Sequence, residues 1–272
     1  MGGWLETVLV VFVILSGALF GRSFSRLKYP RWCWGYFIPL ALVALLLITT
    51  YISLKTFIPP IVWFSGGRIR FVIIGFSSAM GAMTLFGRLR NRIEKAVVLT
   101  LTAAAIIWAS ILPFLVPALI QNELTGLQTK IDSDNICSQS TDFTCGPAAA
   151  VTALRQLGLS AQEGEIAVLS HASPISGTMP WCLYKALQNR YSDVGLDCRL
   201  QRFDSIDQLR NAPVTLAVVK DAFMLDHCVA VLDVEDDTVT IGDPILGRIK
   251  MTRKAFAGVW RFYGIVLKHN PS

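Results

Sequence analysis

The chain has few of the residues on which several common classes of enzyme depend. It contains only three histidines and six cysteines in 272 residues. No two cysteines form a Cys-X-X-Cys pair and no histidine lies at zinc-finger spacing, so neither a metal nor another cofactor is expected. The sequence also lacks a phosphate-binding loop of the GxxxxGK[ST] type, so nothing in it indicates an ATPase.

Acidic residues are scarce in the first 120 positions, which hold eleven Lys and Arg but only Glu6 and Glu94. Residues 121–272 hold fourteen basic and seventeen acidic side chains, so net charges of +9 and −3 sum to the formal +6. The chain is 53% hydrophobic. The basic charge therefore belongs to an apolar half, where it indicates residues that flank a membrane and not a nucleic-acid-binding face.

Four apolar segments occupy that half, at residues 4–20, 34–51, 71–86 and 96–120. A helix needs about 20 residues to cross the hydrocarbon core of a bilayer. Each segment alone could be a buried core helix, but four in succession with charged connectors favour membrane spans. We predict a transmembrane helical region over residues 1–120, a polar linker at 121–134 and a second domain at 135–272.

Basic residues in the short connectors predict the orientation of these spans, because they favour the cytoplasmic side. The first connector carries Arg22, Arg26, Lys28 and Arg31, the second Lys55, Arg68 and Arg70, and the third Arg88, Arg90, Arg92 and Lys95. The first and third are expected in the cytoplasm. Both chain ends, with the second domain, are then extracytoplasmic.

A cysteine opens the first helix predicted in the second domain. Pro147 suits a first helical turn, and Ala149, Ala150 and Leu154 recur at helical spacing from Cys145 towards Gly158. A thiol at a helix N-terminus lies at the positive end of the backbone dipole, which favours the nucleophilic thiolate. Cys145 is therefore a candidate nucleophile, although a cysteine at a helix start is more often a small buried residue.

Further elements follow along the chain. Ser160 and Glu163 predict a capping box for a short helix, and Pro180 lies in the first turn of a helix over Met179–Asn189. That second helix could line a substrate groove or pack into the core. Alternating or apolar runs predict strands at 213–220, 227–234, 238–241, 247–251 and 261–267.

A hairpin turn at Asp236-Asp237 brings the far ends of two predicted strands together, so His227 and Asp243 are expected to be neighbours. A carboxylate that accepts from one imidazole nitrogen leaves the other to face Cys145. Asp226, the alternative carboxylate, points to the opposite face by strand alternation. Gln139 could donate to an oxyanion beside the Cys145 amide. His171 and His269 are interpreted as surface residues.

The stretches QSTDFTCGPAAAVTAL and DHCVAVLDVEDDTVTIGDP resemble the papain-clan cysteine peptidases that process double-glycine leader peptides of bacteriocins. The resemblance covers residues 130–267 and includes the Gln-to-Cys spacing of six and the order Gln, Cys, His, Asp. It implies an α/β (α+β) papain-like fold with an antiparallel sheet. It also implies Cys145 as nucleophile, His227 as general base, Asp243 as its orienter and Gln139 in the oxyanion hole.

The best-known members of that family carry the domain on an exporter with its own ATPase and act on the cytoplasmic side, unlike the arrangement predicted here. We therefore expect a multi-pass protein of the bacterial inner membrane that acts on a peptide or protein, with a separate exporter as a candidate partner. An acyltransferase or deamidase with the same thioester chemistry, a non-catalytic peptide-binding module and a transport or assembly factor are the alternatives. The remaining cysteines are expected to be free buried thiols, although a disulfide among those of the second domain stays open.

Overall fold

A computed structural model of the chain describes residues 2–53, 59–210, 212–222 and 225–270. Lys55, counted above in the second connector, lies outside the described residues. The chain divides into two compact units, Met1–Leu119 and Ile120–Ser272.

The first unit is helical. Its helices are α1 (Gly2–Ser25), α2 (Trp34–Ser53), α3 (Pro59–Gly66), α4 (Ile69–Phe86), α5 (Arg92–Ile106) and α6 (Leu112–Leu119). A π-helical turn, Ile107–Ile111, joins α5 to α6 just before Pro113, whose ring cannot continue the usual hydrogen-bond ladder. Within the described residues, four helical stretches are long and apolar enough to cross a membrane: Gly3–Ser25, Arg31–Ser53, Ile69–Phe86 and Arg92–Leu119. The prediction of four apolar helices is confirmed.

Small residues allow α1 and α4 to approach closely. A Cβ atom added to Gly21 would lie 2.2 Å from the carbonyl oxygen of Met80, and one added to Gly17 would lie 2.6 Å from that of Phe76. Both distances are too short for a real side chain. Glycines four residues apart therefore form the contact face, as they do in helix pairs within lipid, where close packing replaces the hydrophobic driving force.

The second unit contains short helices and two sheets. Its helices are α7 (Gln121–Thr125), α8 (Cys145–Gln156), α9 (Glu163–Leu169), α10 (Pro180–Tyr191), α11 (Asp207–Arg210) and α12 (Arg253–Val259). Its strands are β1 (Lys130–Ile131), β2 (Cys137–Ser138), β3 (Leu196–Arg202), β4 (Val214–Ala222), β5 (Leu225–Val234), β6 (Thr238–Asp243), β7 (Gly247–Thr252) and β8 (Trp260–His269).

Six of these strands form an antiparallel sheet in the order β3-β8-β4-β5-β6-β7. The turn at Asp236-Asp237 joins β5 to β6, with Val234 paired to Val239. An α+β domain with an antiparallel sheet, predicted to follow the apolar helices, is confirmed. Strand β3 and helices α11 and α12 were not anticipated.

The core of this unit lies between the sheet and its helices. Helix α8 packs against β4 and β5, and its residues Gly146–Leu154 are all buried. A separate aromatic cluster joins Phe203, Phe256 and Trp260, with ring centroids 5.2–5.3 Å apart, to the apolar side chains of the sheet. Full burial of a Val or Leu side chain contributes about 1.5–3 kcal/mol, so Val151 and Leu154 of α8 help to hold this helix against the sheet.

The segment predicted as a polar linker, residues 121–134, contains secondary structure. It includes α7 and β1, and Leu124 is buried against Ala167 and Ala172. Strand β1 pairs with β2, so the segment forms part of the second unit. Two-residue strands and one-turn helices carry too little periodicity to be recognised from sequence.

The predicted capping box at Ser160 is wrong. Helix α9 is preceded by Gln162, whose side chain makes no capping hydrogen bond. The side chain of Glu163 accepts hydrogen bonds from Ser140 instead. Glu163 thus bonds to Ser140, which is distant in the sequence, and not to the backbone of Ser160. Because Glu163 is fully buried, its carboxylate needs donors within the fold.

Candidate active site

Cys145 is the first residue of α8 and is partly exposed. A tight turn precedes it, in which the buried Thr144 Oγ1 accepts from the Thr141 amide at 3.1 Å. The carbonyl of Phe143 accepts from Thr178 Oγ1 at 3.2 Å. The thiol is thus held at the open end of a buried helix, beside first-turn amides that lack intrahelical partners.

The start of α8 also packs closely against the segment that leads into α10. A Cβ atom on Gly146 would lie 3.0 Å from Thr178 Cβ and 3.4 Å from Leu183 Cδ2. The absence of a side chain at Gly146 therefore permits this close approach, directly beside Cys145.

His227 lies near the start of β5, and Asp243 ends β6. His227 Nε2 is 3.1 Å from Asp243 Oδ1, and both side chains are about nine-tenths buried. The same Oδ1 accepts from the backbone amides of Ile245 at 2.7 Å and Leu246 at 3.2 Å. The turn that follows Asp243 thus fixes its carboxylate. Because the carboxylate is bonded to Nε2 of His227, Nδ1 is the ring nitrogen that remains for Cys145.

The charge state of the pair follows from these contacts. Burial lowers the pKa of His227, but hydrogen bonds and charge interactions with Asp243 and Cys145 outweigh burial and raise this pKa to about 10. Burial acts to raise the pKa of Asp243, yet hydrogen bonds from His227, Ile245 and Leu246 hold it below its ordinary value. At neutral pH the arrangement therefore favours an imidazolium against a carboxylate.

Gln139 directly follows β2, and its backbone amide donates to the carbonyl of Pro244 at 3.0 Å. This bond ties the Gln139 strand to the turn that carries Asp243. In the described part of the chain, Gln139 Oε1 is a buried oxygen without a hydrogen-bond partner. The residue as a whole is partly exposed, so the buried, unbonded carbonyl oxygen does not fix the rest of the side chain.

The remaining candidates lie elsewhere. Asp226 forms an exposed ion pair with Arg261 at 2.7 Å. His269 is half-buried, and its ring nitrogens lie 3.0 Å from the Leu157 carbonyl and 3.1 Å from the Val194 carbonyl. His171 is half-buried with a positive φ of 54°.

Trp181 and Tyr184 of α10 are half-buried, with ring centroids 5.4 Å apart.

All six cysteines are free thiols in the structure. Burial raises the pKa of Cys137 and of Cys198 to about 12, and burial raises that of Cys228 well above its ordinary value. These three thiols are inert as nucleophiles by that criterion. Among the residues that the structure describes, no three His, Cys, Asp or Glu side chains lie close enough to hold a metal ion.

A partly exposed cysteine at the start of a buried helix beside an antiparallel sheet is compatible with the resemblance noted in the sequence, and a comparison with known families tests it. The Peptidase C39 family matches residues 133–272, just over half of the chain. The chain belongs to this family of cysteine peptidases, which are hydrolases. The resemblance noted in the sequence is confirmed.

Two relatives illustrate the range of similar proteins. An uncharacterized protein of Methanothermobacter marburgensis is 32% identical over 145 residues, which are 53% of this chain and 94% of the relative. The probable functional amyloid protease FapD of Pseudomonas fluorescens is 28% identical over 136 residues, which are 48% of this chain and 58% of that protein.

Solved structures with low sequence identity also align with about half of the chain. The peptidase domain of Streptococcus ComA, a bifunctional ABC transporter involved in quorum sensing, is 21% identical with a TM-score of 0.42, covering 49% of this chain and 96% of that domain. A double glycine motif protease from an AMS/PCAT transporter, in complex with a leader peptide, is 18% identical with a TM-score of 0.41, covering 54% and 96%.

Replacement of Asp243 by Asn tests the electrostatics of the pair. Asn keeps an oxygen for the Ile245 and Leu246 amides but removes the charge that raises the pKa of His227. We expect NMR titration of labelled histidines in the full chain to show His227 near pH 10 in the wild type and at least about two units lower in the variant. His269, whose ring nitrogens face the Leu157 and Val194 carbonyls and not Asp243, is the internal control.

The raised pKa of His227 also makes the stability of the fold depend on pH. Because the pKa of His227 is raised above 6.5, protonated His227 contributes fully to the free energy of unfolding below about pH 6.5, down to the range in which Asp243 is itself protonated, and this contribution is lost as pH rises through about 10. Denaturant unfolding of the wild type and of Asp243→Asn measures it. Equal titration of His227 in the two proteins, or a stability difference that stays constant as pH rises from about 6.5 through about 10, would contradict the account.

Proposed function

We propose that the chain is a membrane-anchored peptidase in which Cys145, His227, Asp243 and Gln139 cooperate to cleave peptide bonds. The observation that carries this proposal is the 3.1 Å contact between His227 Nε2 and Asp243 Oδ1, together with the interaction of the same imidazole with Cys145. Membership of a cysteine peptidase family supports the role of a thiol.

The reaction starts from the Cys145 thiolate and the His227 imidazolium, a pair in which the thiol proton already lies on His227. The thiolate attacks the carbonyl carbon of the peptide, and the carbonyl oxygen gains a negative charge. The Gln139 side-chain amide and the Cys145 backbone amide donate to that oxyanion. The tetrahedral intermediate then collapses, the C–N bond breaks, and the leaving amine takes its proton from His227. A thioester to Cys145 remains.

In the second half, neutral His227 removes a proton from a water molecule, whose oxygen attacks the thioester carbonyl. The Gln139 and Cys145 amides donate to the oxyanion of this second tetrahedral intermediate. Its collapse breaks the C–S bond. The products are a carboxylic acid and the Cys145 thiolate beside protonated His227, which is the starting pair. Asp243 holds the ring orientation throughout and stabilises its charged form, without accepting the proton itself.

The substrate that this chemistry requires is a peptide or a protein segment. The resemblance in the sequence implies a leader with a double-glycine site, for which a separate exporter would be the natural partner. The name of FapD associates that relative with functional amyloid instead. A cleavage experiment with an unbiased pool of peptides therefore comes before any choice of a single substrate.

We infer that the peptidase unit lies outside the cytoplasm. Four basic residues in each of the first and third connectors outnumber the three of the second. One of those three, Arg68, is ion-paired with Glu6, and its guanidinium lies 4.2 Å from the centre of the Phe114 ring. Positively charged connectors favour the cytoplasmic side, so an even number of spans places both chain ends outside.

Cysteine accessibility tests this orientation. The background for this test carries Cys33→Ser, Cys145→Ser and Cys228→Ser, because these three native thiols are not fully buried. In intact cells, a cysteine introduced at Ser272 of this background is expected to react with a membrane-impermeant maleimide, whereas one introduced at Arg90 is not. Labelling at residue 90 but not at residue 272 would place the peptidase unit in the cytoplasm. Labelling of both after permeabilisation is the control for accessibility.

Cleavage of a peptide library tests the activity. We expect the full chain in detergent to generate new peptide ends, detected by mass spectrometry, and the Cys145→Ala variant to generate none. Added hydroxylamine distinguishes hydrolysis from acyl transfer, because an acyltransferase would divert most product to the hydroxamate. An increase of about 1 Da at glutamine without chain cleavage would indicate deamidation. Cleavage that persists in Cys145→Ala would contradict the proposal.

A further inference from the structure

Glu163, the first residue of α9, is a carboxylate buried in the second unit at 0% exposure. Its Oε1 accepts from the Ser140 amide at 2.8 Å, and its Oε2 accepts from Ser140 Oγ at 2.6 Å. No ion pair involves Glu163 in the described part of the chain. A buried carboxylate without a cation is costly, so its retention here calls for a role.

The residue that Glu163 holds is the direct neighbour of Gln139. The Gln139 amide donates to Pro244, and the next amide, that of Ser140, donates to Glu163. Two successive amides are therefore fixed, one to the turn that carries Asp243 and one to α9. This double attachment defines the position and direction of the backbone at Gln139.

The Gln139 side chain has no comparable attachment at its carbonyl oxygen. Gln139 Oε1 is buried and has no partner in the described part of the chain. The location of its amide nitrogen therefore depends on where the backbone places the Cα–Cβ bond. A displacement of about 1 Å in such a group can reduce a reaction rate by roughly 100-fold.

We propose that Glu163 is a positioning residue, which acts with Ser140 to hold Gln139 where its side-chain amide meets the oxyanion. This inference rests on the proposed function, since it requires Gln139 to be an oxyanion donor. The carboxyl group of Glu163 suits the task because one of its oxygens accepts from the amide and the other from the hydroxyl of the same residue.

Two reactions of Cys145 separate this role from a general effect on folding. Alkylation by iodoacetamide displaces iodide at a saturated carbon and forms no oxyanion, so it reports on the Cys145–His227 pair alone. Hydrolysis of p-nitrophenyl acetate acylates the thiol at a carbonyl and passes through oxyanions. Both rates are measured on the full chain, and the rate of the Cys145→Ala variant is subtracted from each. The rate of ester hydrolysis divided by the rate of alkylation then reports on the oxyanion donors.

We expect Gln139→Ala to reduce this ratio by about 100-fold, as loss of one oxyanion donor does elsewhere. Glu163→Ala is expected to reduce it by about 10-fold or more with unchanged alkylation, and Ser140→Ala to reduce it in the same direction. Glu163→Gln should recover most of the loss, because its carbonyl oxygen can still accept from the Ser140 amide. The effect of Glu163→Ala should disappear in the Gln139→Ala background.

Glu165 provides the matched control, since it lies on the same helix and forms an exposed ion pair with Arg190 at 2.6 Å. Glu165→Ala is expected to leave the ratio unchanged. If Gln139→Ala lowers the ratio but Glu163→Ala and Ser140→Ala do not, the inference is overturned while the proposed function stands. An additive loss in the double variant overturns it as well. If Gln139→Ala itself has no effect, the oxyanion role fails and the inference fails with it.

Discussion

The hydrogen bond between His227 and Asp243 is the contact on which the proposed chemistry depends. Burial alone would keep the imidazole neutral, and the carboxylate reverses that preference. Asp243 can do so because the Ile245 and Leu246 amides hold it in place. The carbonyl of Pro244, in the same turn, receives the Gln139 amide. One turn of four residues thus positions both the base and the proposed oxyanion donor.

Much of this arrangement could be predicted from the sequence, because its strongest signals are local. Long apolar runs specify helices suited to lipid, and the placement of Cys145-Gly146-Pro147 specifies a helix start. The proximity of His227 to Asp243 followed from a hairpin with a short turn, since antiparallel strands must bring their far ends together. The exposed pairing of Asp226 agrees with the alternation that assigned it to the other face.

The support around Gln139 could not be predicted in the same way. Strands β1 and β2 are two residues long, and α7 is a single turn, so neither periodicity nor propensity identifies them. Glu163 has the spacing of a capping residue, and only the fold shows that its carboxylate reaches Ser140, 23 positions away. Contacts between distant residues that depend on burial leave no pattern in a single sequence.

The pH dependence of Cys145 alkylation in the wild type and in His227→Ala tests the central claim most directly. At about pH 6 an ordinary thiol, with a pKa of about 8.5, is almost wholly protonated and reacts slowly. An activated Cys145 is expected to react readily with iodoacetamide at this pH, and the His227→Ala variant at least about 10-fold more slowly, as measured by mass spectrometry of the Cys145 peptide. Identical profiles that rise only near pH 8.5 in both proteins would contradict the account.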